Sequence, residues 1–93
     1  MNRVVLSAQI VERGAVRYTP AGLQACDFGL KHESQVTEGG TPRKVSLEIR
    51  AVAIGEIAQR LSKLDIGSTG TFAGFLTNQR NGRGTVLHVT EFE

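Results

Sequence analysis

Val4, Leu6, Ala8 and Ile10 alternate with Val5, Ser7, Gln9 and Val11 between Arg3 and Glu12, a period of two that predicts a strand with apolar groups on both faces. Such a strand is central in a barrel or covered by a second subunit. Tyr18-Thr19-Pro20-Ala21-Gly22 then supplies turn residues and implies a hairpin. A second strand, Gln24 to His32, sets Cys26, Phe28, Leu30 and His32 on one side and Asp27, Gly29 and Lys31 on the other. Glu33 to Pro42 holds Gly39-Gly40 and Pro42 without an apolar period, and is expected to be a long mobile loop. The third strand, Arg43 to Ala53, turns Val45, Leu47, Ile49 and Ala51 inward and Lys44, Ser46, Glu48 and Arg50 outward.

Between Gly55 and Asp65 the period changes. Ile57, Leu61 and Leu64 are spaced four and three apart, one stripe of a helix that Gly67 ends. The fourth strand, Ser68 to Thr77, is interrupted by Gly70 and Gly74, as at a tightly coiled barrel corner. Asn78 to Gly84 is a connecting loop carrying the hairpin signal Asn81-Gly82, and the fifth strand runs from Thr85 to Phe92. Five strands with one short helix between the third and the fourth predict an all-β, five-stranded Greek-key barrel, the OB-fold, as a single domain over residues 1–93. That barrel binds oligonucleotides and oligosaccharides on the outer face of its second and third strands, between the loop joining strands one and two and the loop joining strands four and five.

Composition narrows the reading without deciding it. In 93 residues, apolar types make up 40% and charged types 22%, too apolar for a disordered chain. No apolar run is long enough to span a membrane and Met1 to Leu6 reads as a strand, not a secretory signal, so the expected location is the cytoplasm. Eleven Lys and Arg against nine Asp and Glu give a net charge of only +2, which makes the placement of charge more informative than its sum. The lone Cys26 shares a face with Phe28 and Leu30 and is expected to be buried and inert.

Arg80 and Arg83, in the loop that would fold over a bound strand, are candidate phosphate ligands, because each guanidinium offers several donors that match phosphate oxygens. The alternative is that they serve solubility only. At the tip of the first hairpin, Arg17 and Tyr18 offer a phosphate contact and a stacking plane; the alternative packs the Tyr18 ring on the barrel end. Lys31, Arg43, Lys44 and Arg50 decorate the second and third strands or their junction, where a nucleic-acid backbone would pass, and outnumber Glu33 and Glu48 nearby. With four Phe, one Tyr and no Trp, and with Phe28 and Phe72 pointing inward, stacking platforms are scarce and phosphate contacts are the principal expected attraction. Neither His32 nor His88 has a partner spacing that suggests a triad or a metal site, and no phosphate-binding glycine loop is present. No enzyme activity, metal or cofactor is expected.

Arg3-Val4-Val5-Leu6-Ser7, Arg17-Tyr18-Thr19-Pro20-Ala21-Gly22 and Phe28-Gly29-Leu30-Lys31-His32-Glu33-Ser34 together resemble the primosomal replication protein N family, short relatives of bacterial single-stranded DNA-binding protein, over Asn2 to about Phe92. The Tyr-Thr-Pro-Ala-Gly turn is shared with the wider family, whereas Leu-Lys-His-Glu-Ser narrows the match. The resemblance implies a homodimer that binds single-stranded DNA and helps reload the replicative helicase. Its implied partners are the restart helicase, the helicase-loading primosomal protein and the general single-stranded DNA-binding protein. Its DNA-contacting places correspond to Arg17, Glu33, Ser46 and Arg80; Glu33 stands where some relatives have a basic residue and Ser46 where some have a stacking aromatic. Weak DNA binding supplemented by protein contacts is therefore expected. The chain ends at Glu93 without the long tail and acidic tip of the general single-stranded DNA-binding protein, which favours a dedicated restart factor over a tail-less general binder; an OB module that docks a helicase and touches no nucleic acid is a further alternative. The two-sided first strand, with Val86, Leu87 and Val89, motivates the homodimer.

Overall fold

In the computed structural model the described residues are 1–80 and 82–93; Asn81, half of the Asn81-Gly82 turn signal, lies outside them. Within that set the elements run β1 (Val4–Arg13), β2 (Arg17–Tyr18), β3 (Gln24–Glu38), β4 (Thr41–Ile54), α1 (Glu56–Leu61), β5 (Thr69–Asn78) and β6 (Thr85–Phe92). The sheet order β1-β5-β6-β4-β3-β2 is closed into a barrel by an added β1–β3 pairing, and only β4 and β6 run parallel. β1 serves two neighbours in succession, pairing with β5 over Val4–Gln9 and with β3 over Gln9–Arg13. A bulge between Ile10 and Glu12 bends the strand between them.

Within the barrel, alternation sorts the side chains as expected; Val45 and Leu47, expected inward, lie on or at the base of the ribbon that extends β3 and β4 and outside the core, and Leu47 is exposed. Ile10, Cys26, Phe28, Leu30, Phe72, Leu87 and Val89 are wholly or almost wholly buried in one cluster, which α1 caps at one end with Ala58 and Leu61. The helix is shorter than its apolar stripe. It ends at Leu61, and hydrogen bonds from the Lys63 and Leu64 N–H groups to the Arg60 and Leu61 carbonyls continue the turn as far as Leu64, which still packs on the core. Gly74 sits at a register shift against β6, where a β-carbon would lie 1.7 Å from the His88 carbonyl oxygen, so no other residue fits that crossing.

The sequence places Arg17 and Tyr18 only at a hairpin tip, where the structure has the short strand β2, and a larger departure from the sequence reading lies between β3 and β4. The segment from Glu33 to Pro42 is no loop: β3 and β4 continue in register beyond the barrel as a two-stranded ribbon, from Glu33↔Ser46 to Glu38↔Thr41. Gly39 and Gly40, with φ of 59° and 80°, close it as a two-residue hairpin turn. Two glycines in succession marked a turn, and the missing apolar period reflects a ribbon with no core beneath it. Pro42 is tolerated opposite Thr37 because each strand of such a ribbon has an open side. The ribbon gives the molecule extents of 50 × 28 × 21 Å.

His32 anchors the base of the ribbon. Its Nδ1 lies 2.6 Å from the Ser7 carbonyl oxygen of β1 and its Nε2 2.8 Å from Ser34 Oγ. A carbonyl only accepts, so Nδ1 carries a proton and donates it to the Ser7 carbonyl, while Nε2 shares a hydrogen bond with the Ser34 hydroxyl. Leu-Lys-His-Glu-Ser is thus a structural latch.

Candidate nucleic-acid interface

The hairpin after β1 is built by local bonds. The Gly22 N–H donates to the Thr19 carbonyl, the Thr19 N–H to the Leu23 carbonyl and the Leu23 N–H to Thr19 Oγ1, with Gly22 at φ 85°. This turn lays Arg17 and Tyr18 against the end of β3, opposite Ala25 and Gln24. On the far side, the Gln79 N–H donates to the Gly84 carbonyl and fixes the base of the β5–β6 loop. Between the two lies an open cleft of about 460 Å³. Arg17, Tyr18 and Arg80 line its walls, Val52, Ile54 and Val86 its apolar surface.

Asp27 also lines the cleft and grips Arg17 with both oxygens, Nε to Oδ2 at 2.9 Å and Nη2 to Oδ1 at 3.1 Å. That hydrogen bond first, and the carboxylate charge second, raise the Arg17 pKa. Burial pushes the Cys26 thiol pKa up, which keeps the thiol protonated and inert as expected.

Of the remaining predicted contacts, Arg50 borders the cleft: it pairs in register with Val86 and bonds to Glu12, Nη1 to Oε2 at 3.2 Å. Lys31 shares the outer face of β3 and β4 and pairs with Glu33 at 3.4 Å. Ser46 lies opposite Glu33, and Lys44 opposite Gln35, on the ribbon. Lys44 is ten residues along β4 from the cleft residue Ile54, about 33 Å at roughly 3.3 Å per residue, so it does not share the groove with Arg17 and Arg80. Arg43 has the opposite parity to Lys44 and projects from the other face, paired with Glu38 at 2.9 Å. Arg83 is exposed in the β5–β6 loop and is not among the residues lining the cleft.

The outer face of β3 and β4 is balanced in charge. Lys31, Lys44 and Arg50 alternate with Asp27, Glu33 and Glu48. Among the described residues, Lys44 and Arg80 are the predicted cations without an ion pair or other polar partner, Arg83 having a contact of its own. Exposed pairs contribute about 0–1 kcal/mol each, so a phosphate can displace the carboxylates. The sequence reading missed Asp27, Val52 and His88 as cleft residues. Alternation had placed Asp27 on the outer face, but only the parallel β4–β6 pairing, which sets His88 beside Val52, brings the last strand to it.

Two further expectations change. Leu87 and Val89 are buried in the core and Val86 lines the cleft, so the last strand gives a subunit contact no support. Val5 of β1 is 58% exposed, which keeps the two-sided reading of the first strand. Among the described residues no helix is long and apolar enough to cross a membrane, and no His, Cys, Asp and Glu cluster could hold a metal ion.

Comparison with known proteins is consistent with this geometry. Residues 2–91 match the model of a family described as another single-strand binding protein family. The chain is 48% identical over 80 residues to the replication restart protein PriB of Bordetella pertussis, covering 86% of this chain and 75% of that one. It is 36% identical over 91 residues to PriB of Nitrosomonas europaea, covering 97% and 84%. The structure of PriB from Ralstonia solanacearum superposes with a TM-score of 0.91 at 34% identity, covering 100% and 96%. The single-strand-binding domain from Synechococcus, 21% identical with a TM-score of 0.75, shares the fold. The chain therefore belongs to the single-strand binding protein family and, within it, to the PriB replication restart proteins.

Proposed function

We propose that this protein is a non-enzymatic, single-stranded DNA-binding component of replication restart that takes the strand through the cleft between the β1–β3 connection and the β5–β6 loop. The observation that carries this is the convergence there of Arg17, Tyr18 and Arg80, far apart in the chain, over an apolar surface. Guanidinium groups on the walls suit phosphates, and the apolar surface suits bases freed from pairing. Lys31, Arg50 and Lys44 extend the path along β3 and β4, with Ser46 and Glu33 beside it. Because that face is balanced in charge, affinity is modest and protein contacts supplement it, in keeping with a bridge between a restart helicase and the helicase-loading machinery.

The reading includes a homodimer. β1 is paired only with β5 over Val4 to Ala8; His32 occupies its other edge at the Ser7 carbonyl, and pairing with a second β1 would satisfy the stretch left beside exposed Val5. A titration against labelled single-stranded and duplex DNA over a salt series tests the DNA reading. Single strands are expected to bind preferentially, with log affinity falling by about 0.7 per neutralised phosphate for each decade of salt. The Arg80→Ala, Arg83→Ala double variant should lose most of that affinity. A flat salt response, or equal binding of duplex, overturns the reading.

A further inference from the structure

Exposed aromatic rings are rare in this chain, and one of them is placed without need of the core. Phe28 and Phe72 are buried, and Phe92 packs on Phe72 at 4.9 Å with Arg60 above it. Phe75 stands on the outer face of β5, 40% exposed, stacked on His88 of β6 with ring centroids 4.9 Å apart and planes 13° from parallel. His88 pairs in register with Val52 of β4 on its other side, and Val52 with Asp27 of β3. Phe75, His88, Val52 and Asp27 thus form one row across the outside of the barrel, and the last three line the cleft. Phe75 covers one face of the imidazole from the β5 side. The other face looks across Val52 into the cleft, toward the wall that carries Tyr18.

We infer that His88, held upright by Phe75, is a nucleobase-stacking wall of the cleft, so that the site engages the bases as well as the phosphates of a single strand. This rests on the proposed DNA path. Val52 lies in register beside His88 and is only 6% exposed, so a base seated there rests on the imidazole more than on Val52. A base seated there stacks on His88, while Asn78 and Gln79, which also line the cleft, offer amide donors and acceptors to whichever base edge is presented. Stacking of this kind is tolerant of sequence because every base has a π-face.

The test compares an oligothymidylate with an abasic oligonucleotide of equal length and charge, by fluorescence anisotropy with the full chain. The parent is expected to favour the base-bearing strand about tenfold. His88→Ala should bring that ratio close to one while leaving the salt slope unchanged, and Phe75→Leu should reduce it by about half. In the parent, adding oligothymidylate should shift the His88 ring proton resonances more than those of His32, a readout that needs no variant to fold. Equal affinity for both strands with a normal salt slope overturns the stacking wall and leaves the phosphate reading intact; failure to bind either strand overturns the phosphate reading itself. A stationary His88 resonance overturns the inference, as does a Phe75→Leu variant that keeps the full base preference but falls to a smaller assembly by light scattering, which would give Phe75 to a contact between copies of this chain.

Discussion

β3 and β4 pass through two different surroundings, and the contrast separates what a strand pattern encodes from what a closed barrel adds. Near Ala25 and Ile54 they form a wall of the barrel, where a core lies beneath one face and the cleft above the other. Beyond His32 and Leu47 the same two strands run on as a ribbon, and the same alternation continues with no core underneath. Leu47, inward by parity, is already 39% exposed at the base of the ribbon, whereas Ala51 and Ala53 four and six residues later are buried. Charges behave in the same way. In the barrel, chain reversal brings Arg17 and Arg80 to one cleft, whereas on the ribbon the adjacent residues Arg43 and Lys44 project from opposite faces. Closure, not proximity in sequence, assembles the site.

The largest effect that separates the regions is on stability. A β-carbon at Gly74 would lie 1.7 Å from the backbone oxygen of His88 and 3.1 Å from the Val89 α-carbon, so Gly74→Ala must break the β5–β6 crossing. The expected cost is about 3 kcal/mol or more, a severe loss for so small a domain. At the ribbon tip Gly40→Ala meets no atom within 4 Å and suffers only its left-handed φ of 80°, about 1 kcal/mol. Thermal unfolding by circular dichroism should therefore rank Gly74→Ala far below Gly40→Ala. Equal midpoints would mean that barrel and ribbon are equally constrained, and the contrast would fail.

A smaller effect concerns binding. Removing the two cleft cations, Arg17→Ala with Arg80→Ala, is expected to weaken single-stranded DNA binding at least tenfold, since each is placed to form a charge-assisted bond to phosphate. Removing the two ribbon cations, Arg43→Ala with Lys44→Ala, should cost about threefold or less, because only Lys44 lies on the face of the proposed path and it is remote from the cleft. Parallel anisotropy titrations at one salt concentration decide it. A ribbon pair that costs as much as the cleft pair would move the principal contact to the ribbon.

Most of the barrel was legible in the sequence because burial leaves a period: two in β1, β3 and β4, and near 3.6 over Ile57, Leu61 and Leu64. The ribbon was not, because its exposed positions need no apolar period and Gly39-Gly40 reads both as a hairpin turn and as a loop. The cleft was half legible. Arg17, Tyr18 and Arg80 stand in turn and loop segments whose place in the fold follows from element order. Asp27, Val52 and His88 enter only through the cross-strand register, above all the parallel β4–β6 pairing, which no local pattern announces. Leu87 and Val89 show the converse error: apolar residues on a final strand suggest an interface as readily as a core until the closing neighbours are known.

The finest distinction lies in the ion pairs. Asp27 holds the Arg17 fork with two bonds inside the cleft, whereas Glu38 holds Arg43 on the ribbon face turned away from Lys44. A phosphate that takes Arg17 must displace Asp27 and then lies beside its charge, so the carboxylate opposes binding. Asp27→Asn keeps the shape and one acceptor oxygen while removing the charge. The Arg17 and Asp27 side chains are about half exposed, so the pair contributes at most about 1 kcal/mol, and the expected gain in DNA affinity is about two- to threefold with little change in unfolding midpoint. Glu38→Gln, the matched change on the ribbon, should leave affinity within experimental error. A fall in affinity for Asp27→Asn as large as that for Arg17→Ala alone would assign the carboxylate the opposite role, orienting the guanidinium for phosphate instead of competing for it. An equal gain from Glu38→Gln would show that only the overall charge matters, and that the cleft has no privilege over the ribbon.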